Sequence, residues 1–160
     1  YKLLTGGSIA RDERQQTLRA LVDWSYDMLE PAEQAVLQRL AVFRGGFDLP
    51  AAEVVCAGDD IDSDRVLDLL TSLVENSLVT MEQREGQGRF RMLETIREYA
   101  AEKLAGSGGA PAAAARHCQY FFTLSKEARE GMAGPKAARV ARSAGRRTRQ
   151  PAGGDSTAAS

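Results

Sequence analysis

The fold this sequence predicts is mainly helical with a two-stranded wing, and three observations predict it. Several stretches ahead of residue 77 carry apolar residues at helical spacing. A β-branched run and an alternating run then flank a polar, glycine-bearing turn. The second of these runs passes almost directly into another helical period. Within residues 89–101, RFRMLETIREYAA, Phe90 and Met92 alternate with Arg89 and Arg91 as in a strand, and Met92, Ile96, Tyr99 and Ala100 then share one helical face. Residues 77–82 supply the partner strand and residues 84–88 the turn. Helices, then a hairpin, then a further helix is the winged-helix order.

Each element follows in turn. Residues 1–12 read as a polar lead-in with Gly6 and Gly7 in a turn. A helix over 13–29 places Leu18, Leu21, Val22, Ser25, Met28 and Leu29 on one side, with Trp24 and Tyr26 flanking, so it is expected to be covered on more than one side. Pro31 opens the next helix, 31–43, where its missing N–H costs nothing. Val36, Leu37, Leu40 and Phe43 are its core stripe, and Arg44, Gly45 and Gly46 end it by tolerating positive φ. Leu49 and Pro50 open a short helix over 51–56. Asp62 or Ser63 is the candidate N-cap of a longer one, 64–76, striped by Val66, Leu69, Leu70, Leu73 and Val74. Beyond the hairpin, a helix over 94–104 is stopped by Gly106, and residues 106–111 read as a flexible joint. The last helix, 112–131, carries His117, Tyr120, Phe121 and Leu124 in line, with Ala128 beyond.

Composition bounds what the chain can do. Its 160 residues, 43% hydrophobic and 27% charged, suffice for one good core or two small ones. No apolar run approaches the roughly 18 to 20 residues of a spanning helix, and no charged-then-apolar leader opens the chain. A cytoplasmic location without membrane contact is therefore expected. Starting at Tyr1, the chain reads as a piece of a longer product. Cys56 and Cys118 have no Cys/His spacing around them and read as two reduced thiols. His117, the only histidine, reads as a packing or hydrogen-bonding residue. Ser/His/Asp sets, Cys/His sets and metal spacings are missing from the sequence, so no enzyme is expected. The doublets Gly6-Gly7, Gly45-Gly46 and Gly108-Gly109 lack the Lys-Ser/Thr that a phosphate loop requires.

Charge argues against a duplex partner. The helix in the recognition position, 64–76, carries Asp64, Asp68 and Glu75 against Arg65, with Asp59, Asp60 and Asp62 just ahead. Duplex binding rests on several Lys/Arg contacts to phosphate, and Arg84, Arg89 and Arg91 in the wing are too few to reverse the balance.

Several ordered words carry a family resemblance. LVDWSYDML at 21–29, LQRLAVF at 37–43 and Gly46-Phe47 resemble the run opening the winged-helix domain of NB-ARC type STAND ATPases. RMLETIREYA at 91–100 resembles that domain's MHD segment. RQQTLRALVDWSYDMLEPAEQ, LAVFRGGF, EVVCAG and RMLETIREYA are similar to bacterial, especially actinobacterial, STAND regulators, over about residues 3–131. Those combine a nucleotide-binding core with a DNA-binding or cyclase domain and a C-terminal tetratricopeptide-like array. The resemblance implies that the MHD-like segment faces bound ADP and helps hold a closed state. Met92 matches the Met, Leu93 stands at the His position and Glu94 at the Asp position. Leu93 has no hydrogen to donate to phosphate, so it either faces the nucleotide side without that bond or packs under the wing. Glu94 could cap the helix that begins there.

The tail, 134–160, lacks an apolar period. It carries Lys136, Arg139, Arg142, Arg146, Arg147 and Arg149 against Asp155, which leaves the preceding residues at about −6 out of a net −1. Read one base late, residues 148–154 permit HDNLRAA, with Q-x-E-W-L-x-R-L-x-A-E ahead of it, resembling the start of the family's helical repeats. The expectation is a disordered, out-of-frame tail whose basic charge says nothing about partners.

The organisation expected is thus a connecting segment from a missing nucleotide-binding core at 1–30, a winged-helix domain at 31–106, the first helix of a truncated repeat array at 112–133, and the tail. The function expected is a regulatory interdomain module of a STAND ATPase regulator. Its partners would be the parent's own nucleotide-binding and repeat domains, with ADP or ATP held by the parent and DNA met only through a separate domain. The alternative is a stand-alone winged-helix DNA-binding regulator.

Overall fold

The computed structural model describes residues 6–84 and 87–133. Among them run helices α1 (Gly6–Asp27), α2 (Pro31–Leu40) and α3 (Leu49–Cys56), a 3₁₀ turn (Ser63–Arg65) and α4 (Val66–Glu75). Strands β1 (Thr80–Arg84) and β2 (Gln87–Arg91) follow, then α5 (Glu94–Gly106) and α6 (Ala110–Ala133). The chain divides into two compact units, Tyr1–Tyr120 and Phe121–Ser160. The tail and its reading-frame expectation lie outside the described residues.

The first unit is built around α2, whose Val36, Leu37 and Leu40 are fully buried. Its start is fixed by Glu33, which accepts from the Glu30 N–H at 2.8 Å and from the Ser72 hydroxyl of α4. Asp48 caps α3 by accepting from the Ala51 N–H at 3.0 Å, with Pro50 in the first turn. Val66, Leu69, Leu70 and Leu73 of α4 are buried as their spacing predicts. Asp62 precedes the 3₁₀ turn that leads into α4, yet it makes no side-chain cap.

The wing pairs antiparallel, Thr80 opposite Arg91 and Glu82 opposite Arg89. Residues 77–79, expected as its first strand, instead close α4. Ser77 takes positive φ (59°), and the N–H groups of Leu78 and Val79 both bond the Leu73 carbonyl, at 3.0 and 3.2 Å. This turn drives Leu78 and Val79 into the core, which is why so apolar a stretch lies off the sheet. Phe47 joins the wing's inner edge through paired backbone bonds with Phe90 at 2.9 and 2.8 Å. The rings of Phe43, Phe47 and Phe90 stack in series beneath it.

Four further expectations are corrected. Gly6 and Gly7 lie in α1 and not in a turn. Gly45 and Gly46 have no positive φ; α2 ends at Leu40, and Gly46 is required by a close approach, described below. The expected flexible joint is a tight connection in which Gly108 takes φ 75° while the Gly109 N–H bonds Leu104 O at 3.2 Å. Finally, α1 buries Val22 and Tyr26, with Leu29 just beyond its end, while Leu18, Leu21, Trp24 and Met28 are exposed. Its two apolar stripes lie side by side, and the first unit covers one of them.

On α6, Ala113 is buried, Tyr120 packs on the core, and the His117 ring meets Phe43 edge-on at 5.0 Å. In the second unit, Phe121, Phe122 and Leu124 are exposed.

Candidate functional site

The junction of wing and helix opens a groove of about 300 Å³ lined by Phe43, Arg44, Gly45, Thr80, Glu82, Arg91, Met92, Leu93, Glu94 and Arg97. Its floor follows from the chain's change of period. β2 ends at Arg91, α5 starts at Glu94, and two residues cross the gap between them, Leu93 extended at φ −60° and ψ 142°. Met92 turns down and packs, half-buried, on the core cluster. Leu93 turns outward and is 64% exposed, so the packing of Leu93 under the wing does not occur.

Charges around the groove are arranged in pairs. Arg97 grips Glu94 with two donors, Nε to Oε2 at 2.9 Å and Nη2 to Oε1, and reaches the Ala41 carbonyl at 3.4 Å. That hydrogen bond, together with the charges of Arg97 and Arg44, holds the Glu94 carboxyl below its ordinary range. Glu94 therefore does not cap α5; it occupies the first helical position, where its charge suits the helix dipole, and Leu93 stands at the N-cap without a side-chain bond. Across the groove Arg91 pairs with Glu82 at 3.8 Å.

The three residues of the MHD-like segment are thus brought to one groove with divergent directions: Met92 inward, Leu93 to the lip, Glu94 onto Arg97. The groove lining lacks histidine, and Arg91 and Arg97 are engaged by carboxylates. Arg44 completes the basic side chains of the lining. Arg97, which ties the groove to the end of α2, could not be picked out in sequence, because its partner is a backbone carbonyl 56 residues away.

The helix in the recognition position and the segment ahead of it expose more acid than base. Asp59, Asp60, Asp62, Asp64, Asp68 and Glu75 are all exposed, with Arg65 beside them. Asp60 is bonded through both oxygens to Arg39 Nη2 at 2.7 Å, and this bond holds its carboxyl below the usual range. Arg39 also reaches the Cys56 carbonyl at 2.6 Å, tying α2 to the end of α3. Among the described residues no group of acidic, His and Cys side chains could hold a metal, and no helix is long and apolar enough to cross a membrane.

Comparison with known proteins agrees with this geometry. Residues 29–105 match the winged helix-turn-helix domain family. The chain carries a winged helix-turn-helix domain. Over 125 residues it is 50% identical to a Mycobacterium tuberculosis (strain ATCC 25618 / H37Rv) protein named "Putative HTH-type transcriptional regulator", a match covering 78% of this chain and 14% of that protein. A second M. tuberculosis protein, of the same strain and uncharacterized, is 38% identical over 135 residues, 84% of this chain and 34% of its own length. The chain thus spans a small part of the relatives it matches. A MarR family transcriptional regulator from Streptomyces coelicolor aligns in structure over 81% of this chain and 95% of its own, with TM-score 0.39 and 17% identity, too distant to bear on function.

Proposed function

We propose that this chain is the regulatory interdomain module of a STAND ATPase-type regulator, coupling the nucleotide state of a preceding core to a helical repeat sensor that follows. The observation that supports this most is the sign of the recognition face: α4 and the turn before it expose Asp62, Asp64, Asp68 and Glu75 against Arg65. Such a face repels phosphate and suits contact with a sister domain. In this reading the winged helix is no enzyme, works in the cytoplasm, and leaves ADP or ATP to the parent's core and DNA to a separate domain. The exposed Phe121, Phe122 and Leu124 fit the first helix of an array that awaits its neighbour.

The test is association in trans. The parent polypeptide lacking these residues is mixed with residues 1–131, and a complex weakened by Leu93→Asp is the expected outcome. Absence of association would remove the proposal. The second reading, a DNA-binding regulator, is favoured by the name of the 50%-identical relative and by Arg89 and Arg91 on the wing.

A further inference from the structure

Helix α1 is fastened to the first unit in two different ways. Toward its carboxyl end Val22 and Tyr26, followed by Leu29, are buried, and Gln34 closes the helix by donating to the Tyr26 carbonyl at 3.0 Å. Upstream, residues 11–21 are all exposed, and what holds them is charge. Arg19 forks onto both oxygens of Glu102 on α5, one bond at 3.1 Å. Asp23 accepts from the Tyr99 hydroxyl and lies 3.5 Å from Lys103 Nζ. Lys103 in turn sits over the rings of Tyr99 and Tyr26, 5.0 and 5.1 Å from their centroids.

The ionic members of this cluster are at the surface: Arg19 and Glu102 are 57% and 58% exposed, Lys103 and Asp23 40% and 53%. Exposed pairs are individually weak and yield to salt. The exposed stretch 11–21, once it has nothing to lean on, is shorter than the roughly 12 to 15 residues an isolated helix needs in water. Most of the core beneath, including Leu37, Leu40, Val55, Leu70, Leu73 and Val79, comes from elements after α1, and α1 adds to it only at its carboxyl end, through Val22 and Tyr26.

We propose that the Arg19–Glu102 and Asp23–Tyr99–Lys103 cluster is a salt-sensitive latch, which fastens the upstream part of α1 to α5 and, when its charges are screened or competed for, lets that part lift away as an arm while Val22, Tyr26 and the winged helix stay packed. Release would free the Tyr99 hydroxyl and Lys103 on α5, the helix that begins at the Met92–Leu93 groove, while the edge-on Tyr26–Tyr99 contact at 5.5 Å remains. The device does not depend on which domain of a parent protein α1 faces.

Hydrogen exchange on the whole chain tests it, at about 0.01 M and about 1 M salt, where the screening length falls from about 30 to about 3 Å. Exchange over residues 11–21 should quicken about three- to tenfold at high salt, with α2, α4 and α5 unchanged. Arg19→Glu should give the same acceleration at low salt, and adding Glu102→Arg should restore protection. The proposal is overturned if α1 is indifferent to salt and to Arg19→Glu, if it is unprotected even at low salt, if the charge swap fails to restore it, or if α2 to α5 lose protection in step.

Discussion

Arg89 lies across Gly46: its Nη2 donates to the Gly46 carbonyl at 2.8 Å, and a methyl group on Gly46 would come within 2.7 Å of its Nε. The wing is therefore seated closely on the loop after α2, where a side chain at residue 46 would crowd Arg89, with the Phe90 carbonyl 3.2 Å from the same point. Gly46→Ala should cost about 1 kcal/mol, since Arg89 can swing away but loses its bond and the strand must give slightly. Gly45→Ala, with no heavy atom within 4 Å, should leave the melting temperature unchanged or slightly raised. Thermal melts of the two variants should differ in that order.

Met92 and Leu93 are adjacent but should respond oppositely. Met92→Asp sets a carboxylate against the core cluster at a half-buried position and should cost about 1 to 3 kcal/mol, less than a fully buried site would. Leu93→His, at an exposed lip, should change stability by less than about 0.5 kcal/mol. A melt insensitive to Met92→Asp would show that the direction of this crossing is drawn wrongly.

The crossing was legible because the period changes at Met92, and the α4 stripe because Val66, Leu69, Leu70 and Leu73 meet no competing pattern. The rest fails for identifiable reasons. Leu78 and Val79 carry strand composition, but a left-handed Ser77 folds them inward. Gly46 reads as a turn glycine when the requirement is room for Arg89. Neighbouring stripes on α1 are equally apolar, so nothing local says that Val22 and Tyr26 face the core and Leu21 and Trp24 do not. Of the groove, the segment itself could be found; the Arg97–Ala41 tie and the outward turn of Leu93 could not, since both depend on contacts distant in sequence.

Stability should fall at both ends of the pH range. Asp23, Asp60, Glu94 and Glu102 are each held below their ordinary range, chiefly by hydrogen bonds from Tyr99, Arg39, Arg97 and Arg19. Their contribution is present above about pH 4 and is lost as pH falls through the lowered values. Burial, with the bond to Asp23, pushes the Tyr99 hydroxyl up to about 12 from 10.0. Its contribution is full below pH 10 and is lost as pH rises toward about 12. Burial lowers His117, so the folded state prefers the neutral ring and loses support as pH drops below 6.5. Urea titrations across pH should show these three edges, and Tyr99→Phe should reduce the alkaline one to the share that the buried Cys56 thiol, also pushed up to about 12, contributes above pH 9.

The two thiols should react very differently. Cys56 is fully buried and its thiol is pushed up to about 12 by burial, whereas Cys118 is exposed. A thiol reagent at neutral pH should label Cys118 promptly and Cys56 only on unfolding, so one equivalent is consumed under native conditions and a second in denaturant. Cys118→Ser should abolish the fast reaction.

The central claim, that this winged helix does not read DNA, is tested most directly by the anisotropy of labelled duplex titrated with residues 1–131 at low salt, where phosphate contacts are strongest. The acidic α4 face predicts no saturable rise. A saturable rise that shrinks with added salt and on Arg65→Glu would contradict it, placing this helix on a phosphate backbone and the chain among DNA-binding regulators.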